Sequence, residues 1–330
     1  MKTYSTGTLS NKYYLEKELC NNGYKGVVYL AHNAEGQKMA IKTVASYLAN
    51  TPYSLSEEQK IHYQLDHKYI IKCLDYMPES ILTKEYIGEK SVMYLTTEFA
   101  ENGDLLGLIQ KISKDSKKIG MNFKIIKTWF SQIVSALSYI HEQGFCHRDI
   151  KLDNLLLSSD YLIKIADFGC SIAMNANETG KNGLCSVKGT ENYMAPEIWE
   201  NDYTKEKKIY DGGKIDVFSL GVALFSMVFN GHPFNKAIPR DQFYRLILVN
   251  NWEEYWKIFI EKIKMITERE EAGEWELLKD LIEKMLTKDS EKRIELKDIL
   301  NHKWMNGDVY KDEEMAKVIE NLLKERVSEE

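Results

Sequence analysis

The run 217–229, VFSLGVALFSMVF, is apolar almost all the way round a helix. A helix without a polar face must be enclosed on every side. The run is shorter than the ~20 apolar residues that cross a bilayer, so it reads as a buried helix at the centre of a helical layer. The chain has 330 residues, 44% of them hydrophobic. That is enough to wrap such a layer and to build a second, smaller region beside it.

The pattern of the chain changes near residue 100. Before it, residues 13–18, 26–31, 38–44 and 93–99 are β-like, and the first two runs flank a Gly/Asn turn. Residues 54–66 read as a helix, with Ser54 or Ser56 as N-cap and Glu57 and Glu58 in the first turn. Residues 78–90 are polar and read as a long loop. Beyond it, residues 124–142 carry a helical stripe through Ile125, Ile126, Trp129, Phe130, Ile133, Val134, Leu137 and Ile140, with Gly144 as a stop. Residues 252–267 and 275–286 read as amphipathic helices. The expected class is therefore α+β: a small sheet-rich part with one helix, a short connection at 99–102, and a larger helical part.

Composition excludes several roles. A formal net charge of −6 speaks against nucleic acid as a partner, since phosphate contacts need clustered Lys and Arg. Five cysteines (Cys20, Cys73, Cys146, Cys170 and Cys185) are an odd number with no CxxC pair. No disulfide framework or zinc site is expected, and a reducing compartment is. The stretch MKTYSTGTLS has neither a secretory h-region nor a Gly at position two for myristoylation. A cytoplasmic setting without a membrane partner is expected, with the nucleus left open.

Three segments follow one another in order: His147-Arg148-Asp149-Ile150-Lys151-Leu152-Asp153-Asn154, then Asp167-Phe168-Gly169, then Ala195-Pro196-Glu197. They resemble the catalytic loop, the metal-binding motif and the end of the activation segment of eukaryotic protein kinases. Lys151 and the run 189–197 resemble the serine/threonine type, in general shape closest to calcium/calmodulin-dependent-type kinases. No EF-hand loop is present to sense calcium.

The resemblance implies a two-lobed kinase fold, with a small antiparallel-sheet lobe at about 13–100, a mainly helical lobe at about 101–304, and ATP at the join. Residues 1–12 would be an extension and 305–330 a charged helix. That helix carries Val309, Met315, Val318, Ile319, Leu322 and Leu323, and is expected to cap the larger lobe rather than to inhibit or dock. The implied activity is transfer of the γ-phosphate of Mg-ATP to Ser/Thr hydroxyls of protein substrates, which needs positioning and charge neutralisation more than covalent chemistry. Asp149 would accept the hydroxyl proton and Lys151 would neutralise the γ-phosphate. Asn154 and Asp167 would supply the oxygen ligands that Mg²⁺ prefers.

Lys42 would contact the α- and β-phosphates, with Glu58, or alternatively Glu57, as its helix partner. The segment Cys20-Asn21-Asn22-Gly23-Tyr24-Lys25-Gly26-Val27-Val28 stands for the Gly-rich loop, with Asn21 where the family has its first Gly and Tyr24 one place early. Thr97 would be the gatekeeper beside adenine, and Glu98 and Ala100 would offer it backbone hydrogen bonds. Asp104 would reach the ribose or a basic substrate residue. Val28, Ala40 and Leu156 would sandwich the base.

In the activation segment, 167–197, Ser186 stands where relatives carry a phosphate from an upstream kinase, with Arg148 to bind it. Cys185 beside it reads as an unremarkable exposed cysteine. Thr190 would shape the pocket after the acceptor. Asp216 would hold the catalytic loop from below, and Arg293 would pair with Glu197. Two further departures are noted: Ser226 replaces a Glu found in some basophilic relatives, leaving Asp104 and Asp153 for a substrate Arg, and the polar His62 replaces an apolar residue that stacks on Phe168 and His147, which is expected to loosen the active alignment. The competing readings are a pseudokinase scaffold, supported by the irregular Gly-rich loop and His62, and a small-molecule kinase, opposed by the run at Thr190.

Overall fold

The computed structural model describes residues 7–51, 54–84, 88–112, 121–174, 184–204, 208–268, 270 and 273–327. The chain divides into two compact units, Met1–Glu101 with Asp167–Gly169, and Asn102–Ala166 with Cys170–Glu330.

The first unit is a curled antiparallel sheet with one helix. Its strands are β1 (Gly7–Leu9), β2 (Tyr13–Asn21), β3 (Val27–His32), β4 (Lys38–Ala45), β5 (Cys73–Lys84) and β6 (Gly88–Glu98), and its helix is α1 (Leu55–His62). The pairing order is β1-β2-β3-β4-β6-β5, and the short β1 also pairs with β5. Alternation along the strands sends Leu15, Tyr29, Ala31, Met39, Ile41, Leu82, Val92 and Tyr94 into one core.

Two expectations are corrected here. Much of the stretch 78–90 is strand rather than loop, because Ser80 and Leu82 face inward while Glu79, Ile81, Glu89 and Lys90 are exposed. A bulge between Met77 and Ser80 takes Pro78, which has no N–H for the ladder. The helix expected over 54–66 ends at His62, with Ser54 as its cap, accepting from the Ser56 N–H. There the Gln64 side-chain amide donates to the Lys60 carbonyl at 2.7 Å, and the Gln64 backbone N–H turns to Ile61 instead.

Asp75 ties three segments of this sheet, accepting from Lys12 Nζ at 2.6 Å, the Tyr13 hydroxyl at 2.7 Å and the Tyr94 hydroxyl at 3.0 Å. Burial alone would raise its pKa, but these three hydrogen bonds outweigh it and bring the carboxyl below its ordinary value. A depressed carboxylate stabilises the fold fully above the unfolded pKa of about 3.9 and loses that contribution as pH falls through the folded value. The stability difference between wild type and Asp75→Asn, read from urea unfolding, is expected to be about 1–2 kcal/mol near neutrality and to shrink below about pH 4.

The second unit is mainly helical: α2 (Leu105–Ile112), α3 (Phe123–Glu142), α4 (Pro196–Thr204), α5 (Gly212–Phe229), α6 (Tyr244–Leu248), α7 (Trp252–Lys257), α8 (Ile260–Thr267), α9 (Glu274–Met285), α10 (Leu296–Ile299) and α11 (Asp312–Val327). Two small ladders join β7 (Phe145–Cys146) to β10 (Ile172–Ala173) and β8 (Leu155–Leu157) to β9 (Ile163–Ile165).

Helix α3 starts at its Asn122 cap, whose side chain accepts from the Ile125 N–H at 2.9 Å. Helix α5 begins five residues before the apolar run, because Asp211 caps it through the N–H groups of Gly213 and Lys214. With those residues it is, among the described residues, the one helix long and apolar enough to cross a membrane, yet 89% of it is buried inside the protein. Around its end pack Phe225, Phe229, Trp256, Phe259 and Trp275, with ring centroids 4.4–6.4 Å apart.

The single helix expected over 252–267 is two, α7 and α8. Ile258 and Phe259 bond back only three residues, to Tyr255 and Trp256, as Phe259 turns into this aromatic cluster. Helix α11 is tied to α3 where Gln132 Nε2 donates to Asp312 at 2.9 Å, and its Met315 and Ile319 are fully buried.

Candidate active site

In the first unit, strand alternation puts Ile41 in the core and leaves Lys42 on the opposite face of β4. Lys42 Nζ stands 2.7 Å from Glu58 Oε2 and 3.0 Å from Asp167 Oδ1. Glu58 is 6% exposed, whereas Glu57 is 75% exposed and pairs with Lys60 at 2.7 Å. Of the two glutamates, the structure therefore brings Glu58 to Lys42. Burial would lower the Lys42 pKa, but the charges of Glu58 and Asp167 and the hydrogen bonds to both outweigh it, so the ammonium stays charged.

Asp167 has φ +63°, a left-handed conformation that a non-glycine residue holds only when its surroundings enforce it. Phe168 follows, 1% exposed, its ring centroid 4.6 Å from that of His62. His62 is itself buried, and its Nε2 lies 2.7 Å from the Ile71 carbonyl oxygen. The polar ring thus meets Phe168 at a tilt of 35°, with its Nε2 turned to a backbone carbonyl.

The segment 20–28 forms the end of β2, a 3-10 turn at Gly23–Lys25, and the start of β3. Gly26, at φ +105°, has no room for a side chain: a Cβ there would meet the Thr43 carbonyl oxygen at 2.5 Å. Asn21 lies at the end of β2, paired with Val27. Its side-chain oxygen accepts the Gly23 N–H at 3.2 Å, its amide donates to Glu18 at 3.1 Å, and the Cys20 thiol donates to Asn22 Oδ1 at 3.2 Å. Tyr24 and Lys25 are exposed. Val28, Ala40, Thr97 and Glu98 are half-buried, and Ala100 is buried. The Glu98 carboxylate accepts from the Lys72 N–H at 3.0 Å, so its side chain serves the chain next to β5.

The second unit holds the other cluster. Thr190 Oγ1 donates to Asp149 Oδ1 at 2.7 Å and accepts from Lys151 Nζ at 2.8 Å. Lys151 Nζ also lies 3.2 Å from Asp149 Oδ2. Asn154 Nδ2 donates to the Asp149 carbonyl at 2.8 Å and to Asp149 Oδ2 at 3.1 Å. Asp149 and Asn154 are each 7% exposed. This knot hangs from α5, where the fully buried Asp216 accepts the N–H groups of His147 at 2.8 Å and Arg148 at 2.7 Å, with His141 Nε2 2.9 Å away. Those bonds hold Arg148 at φ +64°.

Arg148 then reaches the Cys170 carbonyl at 2.7 Å, Ser186 Oγ at 3.1 Å and the Tyr210 hydroxyl at 3.1 Å. Tyr210 donates to the Ser186 carbonyl at 2.7 Å. Asp104 accepts the Gly107 N–H at 2.8 Å across the first turn of α2, and its backbone bridges to Leu156. Cys185 is 7% exposed, which corrects the expectation of an exposed cysteine, since 184–186 turns inward beside Tyr210. Sequence reasoning missed Tyr210 and His141: Tyr210 comes from far along the chain and His141 from the last turn of α3, and neither sits in a motif with recognisable spacing.

A model described as protein kinase domain matches residues 14–305. The chain belongs to the protein kinase family. Among relatives of this kinase domain is the SNF-related serine/threonine-protein kinase of Rattus norvegicus, 30% identical over 91% of this chain and 35% of that protein. Others are serine/threonine-protein kinase kin-29 of Caenorhabditis elegans (30% identical, 86% of this chain, 30% of that protein) and serine/threonine-protein kinase GIN4 of Saccharomyces cerevisiae (32% identical, 85% of this chain, 23% of that protein). The chain thus spans about a quarter to a third of the length of these relatives.

Proposed function

We propose that this chain is a serine/threonine protein kinase that transfers the γ-phosphate of Mg-ATP to hydroxyls of protein substrates. The observation that carries this reading is the knot in which Thr190, Lys151 and Asn154 all meet the Asp149 carboxylate. Asp149 is the proton acceptor for the substrate hydroxyl, oriented by Thr190 and Asn154, and Lys151 supplies positive charge where the γ-phosphate accumulates it. Lys42, kept charged between Glu58 and Asp167, binds the α- and β-phosphates. The donor types suit Mg²⁺: Asn154 spends its amide nitrogen on Asp149, which leaves its oxygen as a hard ligand, and the Asp167 carboxylate is another. When bound, the metal neutralises phosphate charge.

Thr97, Glu98, Ala100, Val28, Ala40 and Leu156 form the adenine site in this reading, and Thr190 shapes the acceptor pocket. Ser186 is the regulatory acceptor. A phosphate there meets Arg148, which already touches its hydroxyl. The scaffold reading has one observation in its favour: the Gly23 N–H that a phosphate would use is taken by Asn21.

The test is a radiolabelled γ-phosphate transfer assay with Mg-ATP, a generic basic protein substrate and the protein itself. Label on Ser or Thr is the expected result, with Ser186 among the labelled residues after treatment with an activating kinase. Tight Mg-ATP binding without transfer, even after that treatment, would favour the scaffold.

A further inference from the structure

A cavity of about 380 Å³ lies in the second unit between α4, the loop 237–240 and α6. It is at the small end of the range of about 300–1,000 Å³ typical of ligand pockets. Its walls are largely apolar, from Trp199, Tyr203, Ile238, Tyr244 and Leu248. On its rim, Tyr203 is 60% exposed, and Val249, just past the lining residue Leu248, is 64% exposed.

The charges lining the cavity favour an acidic occupant. Arg240 and Lys288 are exposed and make no ion pair among the described residues, and Glu200 is the one carboxylate in the lining. The cavity also adjoins the stretch proposed to receive the acceptor. Lys236 pairs with Glu191, next to Thr190, at 2.7 Å, and its ammonium lies 4.9 Å from the centroid of the Trp199 ring that forms the cavity wall.

We propose that this cavity is a docking site for a segment of the protein substrate in which a large apolar side chain is flanked by acidic residues. The apolar side chain fills the cavity against Trp199, Tyr203 and Leu248, and the acidic neighbours meet Arg240 and Lys288. That the segment belongs to a substrate rests on the kinase reading above; that the cavity binds such a segment does not. Docking of this kind converts acceptor binding into a local event and raises the effective concentration of the hydroxyl at the knot around Asp149.

The test uses the full chain and a generic Ser acceptor peptide, extended through Gly-Ser linkers of increasing length to Asp-Glu-Phe-Asp-Glu, Asp-Glu-Ala-Asp-Glu or Lys-Lys-Phe-Lys-Lys. The Phe extension with acidic flanks is expected to lower KM roughly tenfold or more at a favourable linker length, with kcat unchanged. The Ala and Lys-flanked extensions are expected to give no such gain. Arg240→Glu with Lys288→Glu removes the gain, and so does Tyr203→Asp. All substitutions are at exposed positions, and the unextended peptide is the reference in each protein. In parallel, fluorescence anisotropy of the labelled acidic Phe segment without ATP reads binding alone.

Phe-dependent, charge-dependent anisotropy in a protein that transfers no phosphate would keep the docking site and sink the kinase reading. Equal gains for Phe and Ala, gains that survive both variants, or no gain at any linker length with no anisotropy change would each overturn the docking proposal. So would a self-association of the chain that the charge reversals abolish, since the cavity would then belong to a second copy.

Discussion

Asp149→Asn is expected to lower kcat for phosphate transfer by about 10²–10⁴-fold, the range of a lost general base, with little change in thermal midpoint. The substitution keeps the side chain's shape, and the new amide oxygen can still accept from Thr190, which now holds Oδ1 at 2.7 Å. What it removes is the negative charge beside Lys151, the oxygen that accepts from Asn154 Nδ2, and the basicity that would take up a proton. The nucleotide contacts proposed for Lys42 lie in the first unit, so ATP affinity measured by calorimetry should stay within a few-fold of wild type. A loss of ATP binding in step with transfer would show that the residue supports the site's structure rather than the chemical step. Retained transfer would remove Asp149 from the role assigned to it.

Arg293→Ala is expected to cost about 3–5 kcal/mol, the range for breaking one side of a buried ion pair, or roughly 5–15 °C in Tm. Arg293 is 1% exposed and uses all five of its N–H donors. Two form the fork to Glu197 at 2.8 and 3.0 Å, and the others reach the carbonyls of Lys214 at 2.8 Å, Thr287 at 3.0 Å and Lys288 at 3.2 Å. Truncation strands a mostly buried carboxylate and three carbonyls together. Arg293→Lys keeps the charge but loses the fork, and is expected to lose a smaller part of the stability. The double variant Arg293→Met with Glu197→Leu is expected to recover part of the loss, because it removes the stranded charge as well. Differential scanning calorimetry of the variants checks all three, and a shift of only a degree or two for Arg293→Ala would show the pair to be dispensable.

Regular patterns were the legible part of this fold. The stripe over 124–142 falls on α3, Phe123–Glu142, because an unbroken apolar face and an Asn cap leave little choice of boundary. The apolar run 217–229 lies within the most enclosed helix of the second unit. The misses share a cause: a local exception compensated from elsewhere. Pro78 reads as loop, yet a bulge lets β5 carry it. The turn at Ile258–Phe259 follows from an aromatic cluster gathered from α5, α7 and α9. At the site, motif spacing pointed to Asp149, Lys151, Asn154 and Asp167, but it could not show that Asn21 occupies the Gly23 N–H, that Asp104 caps α2, or that Tyr210 closes a triangle with Arg148 and Ser186.

Gln132 on α3 gives the described chain an end that differs from the end of the family match at residue 305. Its amide nitrogen holds Asp312 of α11, and its amide oxygen holds the Ile163 N–H of β9 at 2.9 Å. One side chain therefore stitches the last helix to the hairpin that directly follows the catalytic loop. A protein trimmed at the family boundary would keep every motif and yet lose the buried Met315 and Ile319, together with half of that stitch. The smallest piece that can carry the chemistry and the smallest piece that folds well are different lengths of this chain, and the second includes α11.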